Sequence, residues 1–165
     1  YLRKNVLNSD NKQKRQSYFC IGNLSKNLKS KEMFHFLMNR LTIEKDEDVQ
    51  TTILTAVTKI EKDLDYKLDA IFDILKYGNI NLKTSAAIAL QNTNNQLVED
   101  KLLESLQFEN NRQLHKMIAA TLRDIGTPKS IPILENKLKS GEGIDYKYFI
   151  ENAIMEINKR NKYCG

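Results

Sequence analysis

The chain has 165 residues, enough for one domain with a substantial apolar core, and its six glycines and two prolines are too few for a turn-rich β sandwich. The net charge of +5 is unevenly placed: residues 1–31 hold eight of the 26 Lys/Arg and one of the 21 Asp/Glu, giving +7, while the other 18 and 20 leave the rest at −2. Basicity therefore belongs to the opening segment, and the near-neutral body argues against a nucleic-acid partner.

Residues 1–16 are polar and basic without sustained periodicity. The sequence starts at Tyr1, not Met, and Tyr-Leu-Arg-Lys followed by Lys-Gln-Lys-Arg matches the charge pattern of a cytoplasmic juxtamembrane segment. That pattern leads us to expect further chain upstream, with a membrane tether as one reading and a solvated basic linker as the other. No apolar run approaches the ~20 residues of a membrane span, and no signal-peptide pattern is visible. Cys20 and Cys164 lie at opposite ends of the chain, so a reducing, cytoplasmic setting is expected, or the cytoplasmic face of a membrane. Cys20, between Phe19 and Ile21, reads as an inert buried thiol.

A 3.6-residue period begins at Ser17, with Tyr18, Ile21, Leu24 and Leu28 marking one helical face. After Lys29-Ser30 a second helix is expected to Ile43. Phe34, Leu37, Met38 and Leu41 form its stripe, while Met33, Phe36 and Ile43 point elsewhere. So apolar a helix needs cover on nearly all sides, from Leu2, Val6 and Leu7 folding back or from a partner. Further helices are expected over 47–62, 65–77, 81–92, 96–108, 114–125, 131–138 and 145–159, separated by the acidic link 44–48, Gly78-Asn79, the turn Thr93-Asn94-Asn95, Gly126-Thr127-Pro128 and Gly141-Glu142-Gly143.

Overlaid, the first helices of successive pairs share a register. The columns are Val49, Leu82, Leu114 and Tyr146; Ile53, Ala86, Ile118 and Ile150; Ala56, Ala89, Thr121 and Ala153; Val57, Leu90, Leu122 and Ile154; and Ile60, Thr93, Ile125 and Ile157. Each steps by 33, 32 and 32 residues. The second helices agree more loosely, through Phe34, Leu68, Val98 and Ile131 and through Leu41, Leu75, Leu106 and Leu138. A two-helix repeat of about 32 residues predicts a stacked α-solenoid.

Residues 114–138, LHKMIAATLRDIGTPKSIPILENKL, carry the cleanest copy. Their apolar-small-small first helix, Ile-Gly-Thr-Pro turn and Ile131-Pro132 start resemble the bacterial HEAT-like repeats of the phycobilisome-lyase-like type, over roughly residues 17–160. The resemblance implies an all-α, right-handed α-α superhelix, a HEAT-like solenoid of about four helix pairs plus a terminal helix. It would be flanked by the leader 1–16 and a tail 161–165. Where that family carries Arg after the first apolar column, this chain has Gln50, Lys83, His115 and Lys147. Tetratricopeptide repeats have similar length, but their Trp-Leu-Gly-Tyr signature is missing.

No catalytic constellation stands out. His35 and His115 lie on different helices without Cys, His or carboxylate at ligand spacing, there is no Gly-rich phosphate loop, and no Gly-x-Ser-x-Gly elbow. The His-Glu pairs of iron-binding HEAT oxygenases and the basic aromatic groove of HEAT-like glycosylases are also missing. We therefore expect no enzyme activity, no cofactor and no metal. The expected function is a non-catalytic protein–protein interaction scaffold, one module of a larger chain. A lyase-like module holding a prosthetic group or substrate, and a membrane-tethered cytoplasmic domain, are the alternatives.

The solvent side of the second helices is where a partner would dock. The expected contact residues are Tyr66, Asp69, Asp73 and Tyr77 on one helix, Asp100 and Glu104 on the next, and Phe36 on the over-apolar helix. Together they predict an acidic ridge edged by tyrosines, suited to a basic protein or peptide, including the chain's own basic leader.

Overall fold

The computed structural model describes Lys4, Val6 and residues 9–28, 30–93 and 95–163. Among the described residues there are nine α-helices and no strand, only an isolated bridge between Lys62 and Thr93. The helices are α1 (Asn11–Leu28), α2 (Lys31–Ile43), α3 (Glu47–Thr58), α4 (Asp69–Tyr77), α5 (Ile80–Ala89), α6 (Gln96–Phe108), α7 (Arg112–Ile125), α8 (Ile131–Ser140) and α9 (Ile144–Tyr163). A 3-10 turn at Pro128–Ser130 precedes α8.

The breaks between helices are set by side-chain caps. Ser30, Asp46, Asn79, Asn95 and Asn111 each accept a hydrogen bond from an N–H in the helix that follows, and Thr127 does so for the 3-10 turn. Each such cap is worth about 1 kcal/mol. Asp46, Asn79 and Asn111 stand three residues before Val49, Leu82 and Leu114, whose N–H groups they hold, so capping shares the register of the apolar columns.

Packing follows the columns. Helices α1, α3, α5, α7 and α9 pack in succession, each against the next. All the column residues are buried except Ile125 and Ile154, which are half-buried. A fully buried Leu or Ile contributes about 1.5–3 kcal/mol. Small residues set the spacing: a Cβ added at Gly22 of α1 would meet the Cα and Cβ of Ala56 in α3 at 2.7 Å, so only glycine permits this approach. Between α5 and α7, the buried Thr121 hydroxyl donates to the Ala87 carbonyl at 2.8 Å.

The second helices approach one another less closely, with light contact between α2 and α4 and between α4 and α6. Their closest partners lie forward in the chain: α2 packs on α3, α4 on α5, α6 on α7 and α8 on α9. Short links favour this, since only residues 44–46, 78–79, 109–111 and 141–143 join those pairs. The expected pairs α3–α4, α5–α6 and α7–α8 are thus out of phase by one helix. Four hairpins follow α1, and the unpaired helix stands at the start of the stack.

The position after the first column still braces the preceding link. Gln50 donates through Nε2 to the Glu44 carbonyl at 3.0 Å, and His115 places Nε2 at 2.7 Å from the Glu109 carbonyl. Both acceptors lie six residues back, in the residue that caps the previous helix. Burial holds the His115 imidazole below its ordinary value, which favours the neutral ring, with Nε2–H donating and Nδ1 3.2 Å from the Tyr146 hydroxyl. Lys83 reaches the Glu109 carboxylate instead.

Local boundaries differ from the sequence expectation where polar side chains intervene. Helix α1 starts at Asn11, six residues early, because Lys14 and Arg15 of the basic leader pair with Glu44 and Asp48. Leu24 faces solvent, and Ser25 takes the inner position, its hydroxyl donating to the Ile21 carbonyl at 2.7 Å. Helix α3 ends at Thr58 and α4 begins only at Asp69, leaving a ten-residue connection. Val6 is buried in the core and Met33 and Phe36 pack against it, while Ile43 remains exposed. Leu2, Leu7, the Leu28 side chain, Asn94 and Cys164 lie outside the described residues.

Candidate functional site

The light contact between α4 and α6 leaves an open groove of about 530 Å³. It is built from one face of each helix: Asp69, Phe72, Asp73, Lys76 and Tyr77 recur at helical spacing on α4, and Lys101, Glu104, Ser105 and Phe108 on α6. Phe72 and Leu75 supply the apolar floor. Tyr77 and Phe108, each the last residue of its helix, stand at the rim with 74% and 80% of their surface exposed. The Ser105 Oγ is buried and has no hydrogen-bond partner among the described residues.

Charge on the groove is uneven. Lys101 pairs with Glu104 at 3.3 Å, and Glu109 is taken by Lys83. The Lys76 ammonium sits 5.1 Å from the centroid of the Tyr77 ring. Asp69 and Asp73 make no ion pair among the described residues, and the lining as a whole holds four carboxylates against the ammonium groups of Lys76 and Lys101, an excess of negative charge.

Four of the seven residues expected at a docking surface line this groove: Asp69, Asp73, Tyr77 and Glu104. The other three are elsewhere. Tyr66 precedes α4 and is buried, its ring 4.5 Å from that of Phe34. Phe36 is half-buried against the core. Asp100 is exposed but turned to the next turn, where Lys129 pairs with it. The basic leader is also committed elsewhere, through Lys14 and Arg15 in α1.

Several buried polar groups have no counterpart in the sequence reading. Glu44 is a hub: its carboxylate accepts from Lys14 at 2.8 Å, from Arg40 and from the Tyr18 hydroxyl at 3.0 Å. Burial alone would raise this carboxyl, but the three hydrogen bonds outweigh it and hold the group below its ordinary value. Burial pushes the Tyr18 phenol up to about 12. Glu99 accepts from the Thr127 N–H at 2.8 Å and from the Thr127 and Ser130 hydroxyls, fixing the Gly-Thr-Pro turn from the preceding helix. Lys62, fully buried, donates to the Ile60 and Val57 carbonyls at 2.7 and 3.2 Å, at the end of α3. Glu44, Lys62 and Glu99 all fall outside the apolar columns, so the repeat register carries no sign of these hubs.

Two other surface features lie on α1. A shallower concavity of about 430 Å³ between α1 and α3 is lined by Lys12, Arg15, Gln16, Phe19 and Thr52, with Lys59 4.5 Å over the Phe19 ring. Cys20 is exposed on α1, contrary to the expected buried thiol, because Tyr18 and Ile21 occupy the inner face beside it. Among the described residues no cluster of three or more His, Cys, Asp or Glu is placed to hold a metal ion. No helix there is long and apolar enough to cross a membrane.

No protein-family model matches the chain, and neither a curated protein nor a solved structure matches it.

Proposed function

We propose that the protein is a non-catalytic interaction module of HEAT-like helical repeats, a right-handed superhelix that docks a partner protein or peptide between its second helices. The single observation that carries this reading is the α4–α6 groove, where an apolar floor, two exposed aromatic rims and unpaired carboxylates meet on adjacent helices. Exposed aromatics around a partly apolar depression are the usual anchors of protein recognition. The evenly stepped columns and the succession α1–α3–α5–α7–α9 support the repeat architecture, and close packing of that layer makes the groove a rigid feature.

A photo-crosslinking amino acid placed at Phe108, with a control at the exposed Met155, tests the reading in the intact chain. The expected outcome is crosslinking to a protein partner from position 108 only, weakened when Asp69 and Asp73 are both changed to Lys. Equal crosslinking from both positions, untouched by that charge reversal, would refute it.

A further inference from the structure

Two helix C-termini meet at the groove, since Tyr77 closes α4 and Phe108 closes α6. Carbonyls of a last helical turn lack intrahelical donors and carry partial negative charge. The same end of the groove holds Glu104 and Glu109, and Asp73 lies one turn back from Tyr77. Aromatic faces are electron-rich and attract cations. One ring of the groove is already used in this way: Lys76 lies over Tyr77, whereas among the described residues no cation lies over Phe108. An exposed phenyl ring beside helix-end carbonyls, with the Asp73 carboxylate one turn away making no ion pair among the described residues, is complementary to a positive charge carried on an apolar stem.

We propose that this end of the groove binds a cationic side chain, lysine or arginine, of a partner peptide, seated against Phe108 with an adjoining apolar residue on Phe72 and Leu75. The inference rests on the docking reading above and specifies its ligand. Charge complementarity selects this occupant over an acidic or neutral one, because the lining carries the four carboxylates of Asp69, Asp73, Glu104 and Glu109 against the two ammonium groups of Lys76 and Lys101, a net charge of −2. A membrane surface is a poorer match, since anionic headgroups would meet those same carboxylates.

Isotope-labelled intact chain titrated with two synthetic peptides tests this, the basic acetyl-LKFRLK-amide and a version with norleucine in place of each Lys and Arg. The expected result is perturbation of amide signals on α4 and α6 by the basic peptide alone, weakened as salt rises from about 0.05 to about 0.5 M. Phe108→Ser, at a site exposed enough to leave the fold intact, should weaken binding about three- to fivefold, and Asp73→Lys should weaken it at least as much. Equal binding of both peptides in the groove would overturn the cation assignment and leave the docking reading standing. Perturbations confined to other helices, or no binding by either peptide, would overturn both.

Discussion

Lys62 offers a quantitative test of how the core tolerates charge. Its side chain is fully buried, and its ammonium donates only to the Val57 and Ile60 carbonyls, with no carboxylate beside it. Burial lowers its pKa from 10.5 to about 7. Between those values the unfolded chain holds a proton that the folded chain has released, so stability rises with pH across that window. Below about pH 7 both states are charged and the full burial penalty applies, which this displacement puts at about 5 kcal/mol. Lys62→Met removes the charge and forfeits two hydrogen bonds worth about 1 kcal/mol each. The variant should therefore be more stable than the parent by about 3 kcal/mol below pH 6. By pH 9 the parent regains about 2–3 kcal/mol through deprotonation, and the two should converge. Urea unfolding followed by far-ultraviolet circular dichroism at pH 6, 7, 8 and 9 reads this directly. Parallel free-energy curves for the two proteins would refute the account, because they would mean that Lys62 keeps one protonation state throughout.

The other buried groups give sharper local predictions. Glu44→Gln should cost about 2–4 kcal/mol, since it leaves Arg40 and Lys14 without a countercharge in a half-buried site. The folded Glu44 carboxyl is held below its ordinary value, so its contribution is present above that value and lost as pH falls through the lower one; acid unfolding of the variant should show a shallower limb. Gly22→Ala, which raises helix propensity on an exposed surface, should instead destabilise by about 1–3 kcal/mol in thermal unfolding, because the new methyl meets Ala56 at 2.7 Å. Glu99→Ala should speed amide exchange at Thr127, whose N–H loses its acceptor, more than at the α1 end of the stack. Cys20 should be labelled stoichiometrically by a disulfide reagent in the native protein, and labelling that waits for denaturant would contradict its exposure.

What the sequence disclosed and what it hid divide along the range of the forces involved. Burial of one helical face imposes a local period, so Val49, Ile53 and Val57 and their counterparts could be placed in columns before any contact was known, and they line the core. Caps are local too: the series Asp46, Asn79 and Asn111 steps by 33 and 32 residues, as the apolar columns do, and was there to be read. The phase of the hairpins was not, because periodicity ranks faces without saying which neighbour fills them; the short links after α2, α4, α6 and α8 decide it. Tyr66 shows the same limit. Placed on a helix it belongs to the solvent side, but α4 begins three residues later and the freed chain turns the ring onto Phe34. Asp69, Asp73, Tyr77 and Glu104 survive as a group because their helices do form and their spacing is a turn apart. Phe108 closes an expected helix and nothing in the local sequence marks it, yet it is the most exposed aromatic of the groove. A large ring left in water at the last turn of a helix, next to another at the same position of the neighbouring helix, is better explained by recognition than by folding, since neither ring's burial stabilises the core. Removing both rings should therefore leave unfolding free energy within about 0.5 kcal/mol of the parent, while weakening whatever the groove holds by about tenfold.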